Sequence, residues 1–478
     1  MAKHDFDILV IGSGPAGIHA AVQAAKLNKT VGIIEKTEKS IGGAWLHTGT
    51  LPSKTIREVV ATIQSIKPHV GPKWVDRVIG YLSSESLAKR ALNVSQVEET
   101  LVRKHLENNK IKIIQGFGRL EDQHNVRVTP KSGEAFLVSA DYILIATGSK
   151  PRRPANIPFD DWRIVDSDGV LRLESLPSSI QIYGAGVIGC EYACIFGALG
   201  IKTTLIDTRT TIMQTADQEI AKVLKDSMED MGIEILLGYK LKSMETRGPR
   251  VIVTYDRNIV ESDIFFFAAG RQSTTENLGL ERVGIHTDER GTIKVNEHFQ
   301  TEASNIYAAG DAIGPPALAS TSTEQGRIAV LHAFQADQYR FPKIYPIGIY
   351  TIPEVSSVGM TEEMLKQENI DYVVGRAGFD EVARGHIRGE NHGLLKILVC
   401  TKTEKILGIH IVGADAANLI HIGLCFMLAE FELRMMVNSM LFNYPTLAEA
   451  YRVAAFNALN KLHPNGLLAS EKKPKNVA

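Results

Sequence analysis

The chain has 478 residues, 44% of them hydrophobic and 22% charged, which excludes a disordered, collagen-like or coiled-coil chain and, at about 150 residues per domain, predicts roughly three domains. Lys+Arg number 53 against Asp+Glu 54, a formal net charge of -1, so neither nucleic acid nor an anionic membrane is an expected partner. Cys190, Cys194, Cys400 and Cys425 make no disulfide framework and no Cys/His zinc spacing; no metal site is expected, and a reducing compartment fits.

The N-terminal MAKHDFDILVIG lacks the features of a signal peptide, and no apolar run approaches the ~18 residues that span a bilayer. The expectation is a soluble cytoplasmic protein. Residues 5–35 are the first clear element. FDILVIG is an apolar run of strand length, GSGPAGIHAAVQAAKL turns through glycines into an Ala-rich helix, and TVGIIE is a second buried strand. Gly12, Gly14 and Gly17 form GxGxxG, and Glu35 stands 18 residues beyond Gly17. In such a βαβ unit one glycine permits the tight turn, one lets backbone approach a pyrophosphate and one lets helix pack on strand. The helix N-terminus offers free N–H groups to the anion, and the acid takes ribose hydroxyls. Ser13 and Lys36 are counted with this site.

Residues 55–109 are helical in pattern and read as an insertion. Strands follow at KIKIIQGFG and NVRVTP, and DYILIATGSKPRRP leads a buried strand to Thr147 and Gly148, with the basic run 150–154 expected to be a charged linker. Residues 180–207 then repeat the first pattern: Gly184, Gly186 and Gly189, with Asp207 again 18 residues beyond the last glycine. The repeated offset implies two dinucleotide sites in one polypeptide. Cys190 and Cys194 share a face of its helix as small packing residues. After the strands VIVTYD and DIFFFAAGR, which end at Gly270, NIYAAGDAIG closes a further strand on Gly310 and Asp311. Beyond about residue 342 strands and helices alternate, and the tail LLASEKKPKNVA reads as a frayed terminus.

The expected fold class is α/β: two Rossmann-like dinucleotide-binding domains, for FAD and NAD(P), plus a C-terminal α+β dimerisation domain. The expected boundaries are 1–150 and 273–341 for the FAD-binding domain, 151–272 for the NAD(P)-binding domain, and 342–478 for the dimerisation domain.

In this order the pieces resemble the flavoprotein disulfide reductases with two dinucleotide-binding domains, the family of dihydrolipoamide dehydrogenase and glutathione reductase. GSGPAG with Glu35 is similar to that family's first FAD motif, IATGS (145–149) to its second and YAAGD (307–311) to its third, whose aspartate meets the ribityl chain. GAGVIGCEYA resembles its NAD(P) motif, and YTIPEVSSVGMTE (350–362) the opening of its dimerisation domain. The resemblance implies FAD as cofactor and a homodimer or higher homo-oligomer. It also places Lys54 near flavin N5, to stabilise negative charge on the reduced ring, with Glu191 as its family partner. Gly43 and Gly270 are likewise assigned to the cofactor sites.

The departure from the family is as informative. Disulfide reductases read GGxCxxxGCxPSK after the first βαβ unit, where two cysteines relay electrons to a disulfide. Here residues 42–54 read GGAWLHTGTLPSK, with Trp45 and Thr50 in the cysteine positions. The C-terminal HPT…E becomes NYPTLAEAYRVAA, with Tyr444 for the histidine and Glu449 kept; both are read as packing and hydrogen bonding at the dimer interface. Without a thiol to deprotonate, an imidazole there has no task. HxGTxPSK, GIYTIPE, ILGIH and NYPTxAEAYRVAA are shared with soluble pyridine nucleotide transhydrogenases, although Trp45 departs even from them.

The expected reaction is ping-pong hydride exchange through the flavin, NADPH + NAD+ ⇌ NADP+ + NADH. The alternatives are an NAD(P)H dehydrogenase or diaphorase serving a quinone or other diffusible acceptor, and a non-catalytic nucleotide-binding subunit. Coenzyme choice is open: Asp207 favours the 2′-OH of NAD, whereas Arg209 can pair with the 2′-phosphate of NADP. His47 is kept as a pocket residue. His410 and His421 are read as core histidines, and the methionines of FELRMMVNSM as interface or core filling.

Overall fold

The computed structural model describes residues 4–37, 41–336, 339–390 and 392–464; the lysine-rich tail lies outside them. The chain folds into two compact units, each visited three times. The first holds Met1–Ile56, Ser83–Leu176 and Ala269–Lys343, and the second Arg57–Leu82, Pro177–Ala268 and Ile344–Ala478.

In the first unit the strands Lys112–Gln115, Val31–Glu35, Phe6–Ile11, Phe136–Ile145 and Ile306–Ala308 lie side by side in that order, all parallel. Phe6–Ile11 reads as one apolar run because both faces of the sheet are covered. Alternate side chains point to opposite faces. Ile8 and Val10 join one core with Ala16, Ala20 and Ala24 of the helix Pro15–Lys26 and with Ile328 of the helix Ala319–Ala333. Leu9 and Ile11 join another with Val126, Val128 and Ile293. The alanines let those two helices approach closely: a Cβ on Gly326 would sit 2.2 Å from the Ala16 carbonyl oxygen. Of the helical insertion, the first unit holds the helix Ser84–Asn108, opened by Ser83, whose hydroxyl accepts from the Ser86 N–H at 3.1 Å.

The run expected to be a charged linker is instead structured. Ser149–Pro151 is a strand, antiparallel to Arg271–Ser273 with Ser149 opposite Ser273. Lys150 pairs with Glu276, and Arg153 with Asp161 and Asp166. Lys150 and Arg153 are thus answered by carboxylates that lie outside the basic run.

In the second unit Glu234–Leu237, Lys202–Asp207, Ser179–Tyr183 and Ile264–Phe267 form the parallel sheet, with the helix Val187–Ala198 connecting its two central βαβ strands. The C-terminal portion is an antiparallel sheet in the order Ile347–Ile349, Glu354–Gly359, Ile406–Gly413, Leu394–Cys400 and Tyr372–Gly378. The helices Ala416–Leu428 and Glu449–Leu462 pack on it through a core that includes Tyr451, whose hydroxyl donates to the Leu419 carbonyl at 2.8 Å. The parallel and antiparallel parts are tied by Lys396. Its buried ammonium meets Asp217 at 2.8 and 2.9 Å, Glu219 at 2.9 Å, and Glu362.

Candidate dinucleotide sites

The glycines of the first turn differ in why they are glycine. Gly12 has φ +104°, and a Cβ there would lie 2.4 Å from the Ala146 carbonyl oxygen; on Gly17 it would lie 2.0 Å from the Gly12 carbonyl oxygen. At Gly14, just before Pro15 opens the helix, a Cβ would meet nothing within 4 Å. The first and third glycines therefore serve packing, whereas the second leaves open space beside a helix N-terminus, where an anion is stabilised.

Three other segments converge on this turn. A Cβ on Gly43 would be 3.0 Å from Gly14 Cα, the Gly12 contact brings Ala146 and Thr147 alongside, and a Cβ on Gly310 would be 3.3 Å from Ala16 Cβ. Gly43, Gly148 and Gly310 all have positive φ, and Gly148 again faces open space. Glu35 is fixed from within: Oε2 accepts from the Ser13 N–H at 3.1 Å and the Ser13 hydroxyl at 2.6 Å, and Oε1 accepts from the Lys36 N–H at 2.8 Å. The Lys36 side chain is exposed. His47 donates from Nε2 to the Ile41 carbonyl at 2.8 Å, and Ser95 donates to the Leu46 carbonyl at 2.6 Å, holding the short helix Ala44–His47.

Two buried polar atoms around this turn have no hydrogen-bond partner among the described residues: Thr147 Oγ1 and Trp45 Nε1. Burying such groups unpaired is costly, and a bound molecule with polar groups could partner them. The open space at Gly14 and Gly148 and these orphaned groups suit a dinucleotide with a polar, aromatic end; the donor set fits FAD. Asp311 accepts at Oδ2 from the Ser149 hydroxyl at 2.5 Å. Gly270, at φ +109° and with open space at its Cβ, receives the Arg152 N–H at its carbonyl. Lys54 is half-buried on Thr50–Ser65.

The second turn, in the other unit, repeats the division of labour. Gly184 has φ +117°, a Cβ on Gly189 would lie 1.8 Å from the Gly184 carbonyl oxygen, and one on Gly186 would meet only Arg209 Nη2, at 3.9 Å. Asp207 is held differently from Glu35. Its Oδ2 accepts from the Ala185 N–H and from Arg209 Nη2, both at 2.6 Å. Its Oδ1 accepts from Arg209 Nε at 3.0 Å and the Arg209 N–H at 2.8 Å. Burial pushes the Asp207 pKa up, but the hydrogen bonds from Arg209 and Ala185 prevail and hold it below the usual carboxylate range. Glu191 is buried and accepts from the Tyr350 N–H at 2.9 Å. Burial raises the thiol pKa of Cys190 well above its ordinary value and that of Cys194 to about 12, so both are inert packing thiols.

Other candidates separate clearly. His410 is buried, with Nε2 bonded to the Met360 carbonyl at 2.8 Å. His421 is exposed rather than in the core, because it lies on the outer face of Ala416–Leu428 with Asn418 and Cys425. Met436 is buried while Met435 is 40% exposed. Tyr444 is 70% exposed, and Glu449 accepts from the Thr446 N–H at 3.2 Å. Among the described residues Asp217, Glu219 and Glu362 are close enough to hold a metal ion, but the Lys396 ammonium already occupies their centre. Sequence reasoning named Ser149 only as the end of IATGS and missed Arg271, which reaches Asp311 through Ser149. The available signal was their adjacency to Gly148 and Gly270.

Residues 6–326 match the family model described as pyridine nucleotide-disulphide oxidoreductase, and residues 345–455 match its dimerisation domain. The chain is 41% identical over 460 residues to a soluble pyridine nucleotide transhydrogenase of Mycobacterium tuberculosis, covering 96% of this chain and 98% of the relative. It is 41% identical over 468 residues to the enzyme of that name from Vibrio vulnificus, covering 96% and 99%. Among solved structures it is similar to the Cu(II) complex of the HOCl-induced flavoprotein disulfide reductase RclA from Escherichia coli, with TM-score 0.86 and 26% identity over 95% of this chain and 99% of that one. LpdA from Mycobacterium tuberculosis is similar at TM-score 0.86 and 26% identity, over 94% and 99%.

Proposed function

We propose, from the premise that the chain belongs to the pyridine nucleotide-disulphide oxidoreductase family, that it exchanges hydride between pyridine nucleotides, NADPH + NAD+ ⇌ NADP+ + NADH. The observation that carries this reading is a loss within an otherwise intact frame. Both glycine turns are kept, while Trp45 and Thr50 stand where the family's disulfide reductases have their redox cysteines. Cys190 and Cys194 are buried and unreactive. With no thiol pair to carry reducing equivalents onward, a second nicotinamide is the outlet.

FAD, when bound, supplies reversible hydride chemistry. The chain supplies position and charge. The N–H groups beside Gly14 receive the pyrophosphate, Glu35 the adenosine ribose, and Asp311 the ribityl hydroxyls, with Thr147 offering its hydroxyl and Gly148 its space. Gly184, Gly186 and Gly189 do the same for NAD(H) and NADP(H). Asp207 accepts from the ribose diol of one, and Arg209 turns to the 2′-phosphate of the other. Lys54 places an ammonium to stabilise negative charge on the reduced ring, and Glu191 shapes the nicotinamide side. The dimerisation domain makes a homodimer the working assembly. No helix among the described residues is long and apolar enough to cross a membrane, and the reducing cytoplasm suits four free cysteines.

The test mixes the purified chain with NADPH and thio-NAD+, and in parallel with lipoamide, a glutathione-type disulfide and a quinone. Fast thio-NADH formation with negligible disulfide turnover is expected. Quinone reduction without thio-NADH formation, or disulfide turnover at a matching rate, defeats the reading.

A further inference from the structure

Asp311 does not stand alone. Its Oδ2 is bonded to Ser149 Oγ at 2.5 Å, and Ser149 Oγ is bonded to Arg271 Nε at 2.9 Å. Arg271 Nη2 also donates to the Ser149 carbonyl at 2.8 Å, so one guanidinium grips both ends of the serine. The short antiparallel pairing that sets Ser149 opposite Ser273 holds this arrangement, and Ser273 Oγ donates to the Asp311 carbonyl at 2.9 Å. All these residues belong to the first unit.

The direction of the relay follows from donor chemistry. A guanidinium only donates, so Ser149 Oγ accepts from Arg271, and its single proton is left to point at Asp311. The bond to the carboxylate is charge-assisted. It holds Asp311 in one rotamer, with Oδ2 spent on Ser149 and Oδ1 without a hydrogen-bond partner among the described residues.

We propose that Ser149, oriented by Arg271, is the positioning residue that aims the free oxygen of Asp311 at a hydroxyl-bearing chain, and that this relay rather than Asp311 alone sets the affinity of the flavin site. The inference rests on the FAD reading above and deepens it. Ser149 lies within a motif whose threonine and glycine account for its closeness to the first turn, while Arg271 belongs to a strand more than a hundred residues away; only the folded register joins them.

The experiment uses the full chain, stripped of flavin and titrated with FAD, read by quenching of flavin fluorescence and by the visible circular dichroism of the bound ring. Ser149→Ala is expected to weaken FAD binding by about tenfold to a hundredfold, the size of a lost charge-assisted hydrogen bond, while the apoprotein melts as the wild type does. Ser149→Thr keeps the hydroxyl and restores binding. Arg271→Gln weakens binding like Ser149→Ala, and the double variant is no worse than either single one, because the two act in series. Unchanged FAD affinity in Ser149→Ala, or additive losses in the double variant, overturn the inference alone. A wild-type chain that takes up no FAD overturns the functional reading and the inference with it.

Discussion

The two glycine turns are near copies in backbone and opposites in charge. Gly12 and Gly184 share a positive φ, Gly14 and Gly186 face nearly open space, and Gly17 and Gly189 press on the carbonyl oxygen of the first glycine. Yet Glu35 is held by neutral donors, the N–H and hydroxyl of Ser13 and the N–H of Lys36, whereas Asp207 is chelated by the Arg209 guanidinium. A carboxylate fixed by neutral groups suits the hydroxyls of one resident ribose. A carboxylate answered by its own movable cation can accept a diol or, through that cation, a phosphate. The glycines set where a dinucleotide lies; the acid at the strand end sets how many kinds can come and go.

The second unit uses compensated charge again at Lys396, and there removal should have the largest effect. Lys396→Met leaves the buried Asp217 without its cation and Glu362 without its nearer one, and losing one partner of a buried ion pair costs about 3–5 kcal/mol. Denaturant unfolding should show that loss, and a wild-type midpoint would sink the account. The acid response has a definite sign. Burial acts to raise the Glu362 pKa, but Lys396 and Tyr372 hold it down, to about 2. A carboxylate depressed below its ordinary value of 4.5 adds stability at neutral pH and loses it as pH falls from there toward about 2. The Lys396→Met chain should have a flatter acid limb.

Next in size are paired substitutions in the turns themselves. An added methyl would sit 2.0 Å from a carbonyl oxygen at Gly17 and 1.8 Å at Gly189. Overpacking of this kind costs ~3 kcal/mol, about a hundredfold in binding. Gly17→Ala should lose FAD content, while Gly189→Ala should keep FAD and lose reduction by both nicotinamides. Equal loss of FAD in both variants would break the assignment of one turn to each dinucleotide.

Much of this frame was legible in the sequence because glycine spacing and apolar runs are local signals. The central strands, the helix between them and the terminal acids Glu35 and Asp207 follow from patterns within about thirty residues. What stayed hidden depends on distant partners. The basic run 150–154 looked like a linker because its carboxylates, Glu276 and Asp166, and its partner strand Arg271–Ser273 are supplied elsewhere. Lys396 sits inside the apolar run GLLKILVC, and nothing local shows that three carboxylates make its burial tolerable. His421 has apolar sequence neighbours, yet the phase of its helix turns it outward.

Arg209 offers a subtler cut at the same contrast. Without its charge-assisted contact to the 2′-phosphate, Arg209→Ala should lower kcat/KM for NADPH relative to NADH by about tenfold to a hundredfold. A pH series sharpens the point. In the wild type the hydrogen bonds of Arg209 keep the Asp207 carboxyl below its ordinary range against the pull of burial, so Asp207 stays ionised through mildly acidic solution. In Arg209→Ala the guanidinium bonds are lost and burial is opposed only by the N–H groups of Ala185 and residue 209, so the Asp207 pKa rises and acidification more readily neutralises the charge that repels the phosphate. The NADPH-to-NADH ratio of kcat/KM should therefore rise more steeply as pH falls in the variant than in the wild type, whose slope reports titration of the phosphate itself. Parallel slopes would mean that Arg209 attracts the phosphate without governing the protonation of Asp207.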